Sequence, residues 1–195
     1  MSTAVELPRR RVWTVEDLAE LPRDLRYELV EGELILPSPT VAHQDLSMEL
    51  MLAVRANCPP TYIVSVDQSL AIDQLNEPRP DIVAVRIEHY RRTPVPLGSA
   101  VLAIEVISEH SEFRDMVTKA KVYARAGIAA YWVVDQKHDR ISLVEMVLDP
   151  GHEQYTTRGH TTGVFSVDVP WPITIDLPAL SARRAALLER AKQEE

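Results

Sequence analysis

Cysteine is almost absent. The 195-residue chain carries one, Cys58. A single thiol builds neither a disulfide framework nor a cysteine-based zinc site, so a small secreted scaffold stapled by bridges is excluded. Long apolar runs are missing too. No stretch reaches the roughly 18 consecutive apolar residues of a membrane span, and no membrane association is expected. The opening "MSTAVELPRRR" has no apolar h-region, so a signal peptide is not expected and a cytoplasmic location is. Positive charge is scarce: 21 Lys and Arg against 29 Asp and Glu leave a formal net charge of −8. That balance argues against a passive, non-specific DNA coat, which wants a basic surface. It leaves room for an enzyme acting on DNA, because bound divalent cations offset acidic residues at a metal site. No internal repeat, P-loop or dinucleotide fingerprint is present, and Ser108 has no His-Asp partner pattern that would make it a nucleophile.

The remaining composition, 46% apolar and 26% charged, is that of a globular protein with a sizeable core. One domain is expected over 12–188, with a flexible N-terminus at 1–11 and a C-terminal tail at 189–195. "WTVEDLAEL" reads as a short helix with Thr14 as N-cap and Asp17 three residues on. "RYELVEGELILPS" reads as a hairpin turning at Glu31-Gly32. "TVAHQDLSMELMLAVRAN" is a helix whose apolar stripe runs through Val41, Leu46, Leu50 and Val54, stopped by Pro59-Pro60. "TYIVSVDQSLAID" holds one or two strands, and a further strand spans 81–86. "TPVPLGS" reads as a loop.

"AVLAIEVIS", residues 100–108, is apolar on both alternating faces and reads as a central, doubly covered strand. An amphipathic helix follows, with Ser111 as N-cap and Gly127 as stop signal. Strands at 129–135 and 140–148 come next, then short β segments at "YTTRGH" and "WPITIDL" and a last amphipathic helix. Strand 100–108, the helix and strand 129–135 form a β-α-β unit with parallel neighbours. The fold class is therefore α/β: a mixed β-sheet flanked by helices, with an N-terminal helix and hairpin.

One residue breaks the pattern of the central strand. Glu105 is a carboxylate inside an apolar run, and a buried lone carboxylate must be neutralised, paired or metal-bound. It either meets solvent near the strand end, pairs with a buried Lys or Arg, or binds a hard cation. Asp81 opens a strand after Arg79-Pro80, although aspartate is a poor strand residue; the ordinary reading is a Pro-Asp turn. On neighbouring strands the two can converge on one Mg²⁺, provided that they share a sheet face. Lys119 and Lys121 lie on the following helix. At about 100° per residue, with the apolar centre set by Phe113, Val117, Ala120 and Ala124, Lys121 sits roughly 80° to one side and Lys119 roughly 120° to the other. Periodicity does not choose between them. Asp115 and Lys119, four apart, read by themselves as a surface ion pair.

Taken in order, "PD" at 80–81, "EVIS" at 105–108, Asp115, Lys119 and Tyr123, and "AGIAAYWVVD" at 126–135 resemble the Uma2 family of the PD-(D/E)XK nuclease superfamily. "YELVEGELILPSP", His43, Tyr155 with Gly159, and "WPITIDL" are similar to it as well, so that the resemblance covers roughly 12–178. It implies a restriction-endonuclease-like core. It implies Asp81, Glu105 and the Val106 carbonyl as ligands of Mg²⁺ or Mn²⁺, Lys119 as catalytic lysine, and Glu28 and His43 in supporting roles, with Lys121 the alternative lysine. DNA as substrate and a homodimer are implied by the same likeness. Ile107 departs from the pattern, since a lysine is expected there; similar proteins supply it from the adjacent helix, which favours Lys119.

The reading is a metal-dependent endonuclease that hydrolyses DNA phosphodiesters with an activated water. Two rivals stand beside it: a catalytically silent binding or scaffolding module, and a metal-dependent hydrolase of another phosphoester. Arg79, Arg86, Arg91 and Arg92 around the Asp81 strand read equally as phosphate contacts or as a solvated rim. Tyr131-Trp132 reads as core.

Overall fold

The computed structural model describes residues 12–22, 25–107, 112–149, 151 and 153–193. The expected flexible N-terminus, Ser108 and the Ser111 cap lie outside the described residues.

The first helical segment is a 3-10 helix at Val15–Glu20. Asp17 Oδ2 accepts from both the backbone N–H and the hydroxyl of Thr14, each at 2.9 Å. The hairpin consists of β1 (Glu28–Val30) and β2 (Glu33–Ile35). Glu31 and Gly32 turn it with φ of 49° and 76°, the left-handed pair that a two-residue hairpin of matching twist requires. Gly32 is doubly constrained, because a Cβ there would meet Val12 Cγ1 at 2.6 Å.

Helix α1 (Val41–Arg55) buries Leu46, Leu50 and Val54 at helical spacing. Val41 is 87% exposed and is not part of that stripe; it sits in the first turn, ahead of the point where the helix meets the sheet. Strands β3 (Tyr62–Val66), β4 (Leu70–Ala71) and β5 (Ile82–Arg86) follow. The expected loop contains a two-residue strand, β6 (Val95–Pro96), paired in parallel with β4.

Then come β7 (Ala100–Ile107), a π-helical turn at Arg114–Lys119 that continues into α2 (Ala120–Arg125), β8 (Ala130–Asp135) and β9 (Ser142–Asp149). The expectation of an uninterrupted α-helix after β7 is thus corrected. Strand β10 (Gln154–Thr161), β11 (Val164–Val167), β12 (Ile173–Asp176) and α3 (Leu177–Gln193) complete the chain. Helix α3 covers "LPALSARRAALLERAKQ", the span expected for the last amphipathic helix, and so takes in 189–193 of the C-terminal tail.

The main sheet has the order β10-β9-β8-β7-β5-β3. Strands β7 and β8 are parallel, as the β-α-β reading requires, and the other neighbours are antiparallel. Alternation sorts β7 between two layers. Leu102, Ile104 and Val106 pack with Leu46, Leu50 and Val54 of α1. Ala103 and Ile107 pack with Tyr123 of α2 and Tyr131 of β8. A strand covered on both faces has no solvent side, which is why its sequence is almost continuously apolar.

Trp132 is fully buried on the α1 side, edge-to-face with Phe165 at 4.9 Å. Its indole N–H finds no hydrogen-bond partner among the described residues. Tyr131 belongs to the opposite layer.

Candidate active site

Glu105 shares the strand parity of Ala103 and Ile107, so it enters the α2 layer of an otherwise apolar sheet. It is 3% exposed. Asp81 immediately precedes β5, whose Ile82 pairs with Ile104. Extending that register by one residue sets Asp81 opposite Glu105 on the same face. Asp81 is the more open of the two, with its side chain 23% exposed. Its Oδ2 accepts the Val106 N–H at 2.7 Å. A carboxylate thereby satisfies a main-chain donor at the end of the β5–β7 ladder.

Lys119 reaches into the same layer from the end of the π-helical turn. It is 2% exposed, and its Nζ lies 2.6 Å from Glu28 Oε2 and 2.9 Å from Glu105 Oε1. Asp115 Oδ1 is 3.8 Å away. Lys121 is exposed and does not join the cluster. The surface reading of the Asp115–Lys119 pair is corrected, since both residues are only 2% exposed. Phe113, which centred the predicted apolar face, is 74% exposed instead. The buried face of this segment carries Asp115, Lys119 and Tyr123; a face lined by polar groups is invisible to a search for apolar periodicity.

Glu28, at the start of β1, is 6% exposed, and its Oε2 also accepts the Arg79 N–H at 3.3 Å. His43 lies one turn into α1, where Thr40 Oγ1 accepts its backbone N–H at 3.2 Å. Its Nε2 is 3.1 Å from the Val106 carbonyl oxygen and 3.3 Å from Asp81 Oδ2. A carbonyl only accepts, so Nε2 carries the proton. Val106 is therefore held through both of its main-chain polar groups, its N–H by Asp81 and its C=O by His43. Losing the Thr40 cap loosens the turn that aims His43: Thr40→Ala is expected to lower unfolding free energy by about 1 kcal/mol, measured by urea denaturation.

Burial pushes the Glu105 carboxyl well above the usual carboxylate range; Lys119 opposes this, while Asp81, Asp115 and Glu28 add to it. Burial acts on Lys119 in the lowering direction. Glu105, Glu28, Asp115 and Asp81 outweigh it, and the ammonium holds its proton above the ordinary lysine value. For His43 burial also acts downward, yet Asp81 and the Val106 carbonyl raise the imidazole above its ordinary value. Four carboxylates act on the one ammonium, and Arg114 Nε lies 3.8 Å from Asp115 Oδ1, so with His43 neutral the formal charge of the cluster is 2 − 4 = −2.

Among the described residues no three His, Cys, Asp or Glu side chains gather as a metal-binding group. A set of two carboxylates and a backbone carbonyl needs no such trio. All three supply hard oxygen, and Mg²⁺ takes one or two carboxylates while keeping several waters. The donor chemistry of Asp81, Glu105 and Val106 fits that ion, and the acidic excess is of the sign that a divalent cation offsets.

The four arginines do not act as one group. Arg79 adjoins the cluster, its Nη1 donating to the Asp67 carbonyl at 2.8 Å. Arg86 ends β5, about 3.3 Å per residue away from Asp81 along the strand, and Arg91 and Arg92 lie beyond it; all three are exposed. Asp115 and Tyr123 were recognised in the sequence only through family likeness. Their spacing of four from Lys119 on either side is the local signal for one shared helix face.

The model of the Uma2 family, described as "Putative restriction endonuclease", matches residues 15–173. No curated protein matches the chain. The crystal structure of a "putative nuclease belonging to DUF820" from Anabaena variabilis ATCC 29413 is similar in fold, with a TM-score of 0.64. The two share 17% identity over 80% of this chain and 89% of that one. Among the described residues, no helix is long and apolar enough to cross a membrane.

Proposed function

The chain belongs to the Uma2 family, and on that footing we propose that it is a metal-dependent endonuclease hydrolysing DNA phosphodiester bonds. The observation that carries the reading is Lys119, buried between Glu28 and Glu105 beside an acidic excess. A structural ion pair needs one carboxylate per cation; a surplus kept out of water favours a further positive charge. Asp81, Glu105 and the Val106 carbonyl would hold Mg²⁺ or Mn²⁺. Bound there, the ion supplies Lewis acidity to a phosphoryl oxygen and lowers the pKa of water.

The protein's own groups do the rest. Lys119 keeps its proton, so it acts as a donor and a fixed positive charge rather than as a base. Two of its three N–H groups serve Glu28 and Glu105, and the third is available to a water or to a phosphate oxygen as charge develops. It replaces the lysine absent at Ile107, which is buried in the apolar layer. His43 holds the Val106 carbonyl and Asp81 the N–H of the same residue, so the carbonyl oxygen keeps a fixed place. A cut through both strands needs two such centres, and the proposal includes a homodimer, working in the cytoplasm where its substrate is.

Supercoiled plasmid tests this. The expected result is nicked and linear product with Mg²⁺ or Mn²⁺ and none with EDTA, and Mn²⁺ binding by titration calorimetry. Metal binding without cleavage of plasmid or of a small phosphodiester would make the protein a silent relative. Cleavage of the small ester alone would assign it to other phosphoesters. Failure to bind any divalent ion would sink the reading.

A further inference from the structure

We infer that Tyr123 is a positioning residue for this centre: with Lys119 it fixes one oxygen of Glu105 and so commits the other to the cation. The inference rests on the metal-centre reading above. Tyr123 is fully buried, and its hydroxyl donates to Glu105 Oε1 at 2.7 Å. Lys119 Nζ meets the same oxygen at 2.9 Å. Among the described residues no hydrogen bond engages Oε2. The terminal torsion of a glutamate is soft and roughly two-fold. Two donors converging on one oxygen fix the plane of the carboxylate, because any rotation other than the two-fold exchange of its equivalent oxygens gives up both bonds.

The phenol is itself held. Tyr131 packs edge-on against Tyr123 at 5.2 Å and 68°, and Tyr155 lies against Tyr131 at 5.6 Å. Tyr131 donates to the Asp115 carbonyl in the π-helical turn at 2.6 Å. Tyr155 donates to the Ile128 carbonyl at 2.8 Å. A buried tyrosine needs some acceptor, and two of the three take a main-chain carbonyl. Tyr123 alone takes the central carboxylate. The ladder thus connects the turn that carries Lys119 to the strand that carries Glu105.

The test compares Tyr123→Phe with Tyr155→Phe, two changes that each delete only a hydroxyl, fully buried at Tyr123 and partly buried at Tyr155. Mn²⁺ affinity is measured by titration calorimetry, stability by thermal melting, and plasmid cleavage as kcat and KM separately. Tyr123→Phe is expected to weaken Mn²⁺ binding by about 10–100-fold, as loss of a ligand's supporting hydrogen bond does. Its kcat should fall while KM for DNA holds. Tyr155→Phe should bind Mn²⁺ as the wild type does. Wild-type Mn²⁺ affinity and kcat in Tyr123→Phe would overturn the inference and leave the endonuclease reading intact. An equal loss in Tyr155→Phe would mark a packing role and overturn it as well. If the wild-type protein binds no Mn²⁺, both readings fall together.

Discussion

Lys119→Met is expected to abolish plasmid cleavage and to lower the unfolding free energy by about 3–5 kcal/mol, the usual cost of removing one partner from a buried ion pair. The side chain is 2% exposed and bridges Glu28 and Glu105. Without it, two buried carboxylates face each other with no cation between them. Methionine fills most of the volume, so the loss is electrostatic rather than a cavity effect. The pH dependence follows from the sign of the shift. A buried carboxylate has its folded-state pKa raised, so its contribution to stability is fully present below the unfolded pKa and is lost as pH rises through the folded one. Urea melts should therefore show a smaller deficit near pH 4.5 than near pH 8. Lys121→Met, on the exposed neighbour, stays within about 0.5 kcal/mol of wild type. Equal stability of the two variants would refute the buried bridge.

Glu105→Gln is expected to lose cleavage by at least about a hundredfold, the scale of removing one group that stabilises the transition state. Its effect on stability runs the other way. Burial, with Asp81, Asp115 and Glu28 nearby, raises the Glu105 carboxyl despite Lys119. Ionised Glu105 is thus held at a cost in the metal-free protein, and the neutral amide removes that cost while still accepting from Tyr123 and Lys119. In EDTA the variant should melt above wild type at pH 8. The two should converge at low pH, where Glu105 is protonated. Added Mn²⁺ should then stabilise wild type and leave Glu105→Gln unmoved. A variant that melts below wild type at pH 8 would contradict the acidic excess as a source of strain. Together the two substitutions are expected to separate catalysis from stability, with cleavage lost in both and melting shifted in opposite directions.

Much of this was legible in residue order. The run at 100–107 announces a central strand because burial on both faces leaves no polar positions, and it pairs with β5 and β8 as that reading needs. Glu105 is conspicuous for the same reason: a carboxylate shows only against an apolar background. Glu31-Gly32 marks its hairpin through the backbone conformation that the turn imposes. The helix after β7 was harder. An exposed Phe113 drew the apolar centre away from the true inner face, and that face is lined by Asp115 and Lys119, residues that any hydropathy pattern assigns to water. The π-helical turn also breaks the angle per residue on which such a projection depends. Family likeness favoured Lys119 over Lys121 where periodicity was silent. Neither pattern nor likeness revealed that Asp81 and His43 hold the N–H and the C=O of Val106, because that contact joins α1, β5 and β7 only after the sheet has formed.

The centre draws Glu28 from the first hairpin, His43 from α1, Asp81 from the start of β5, Glu105 from β7 and Lys119 from the turn beyond it. None of these segments holds enough of the cluster to bind an ion or to assist hydrolysis by itself. During synthesis the acidic residues leave the ribosome first, and Lys119 arrives last. Until β7 is enclosed between β5 and β8, the carboxylates remain hydrated and apart. On the endonuclease reading, a nascent or partly unfolded chain would therefore leave DNA uncut. Long-range assembly acts as a safety catch, released by completion of the sheet.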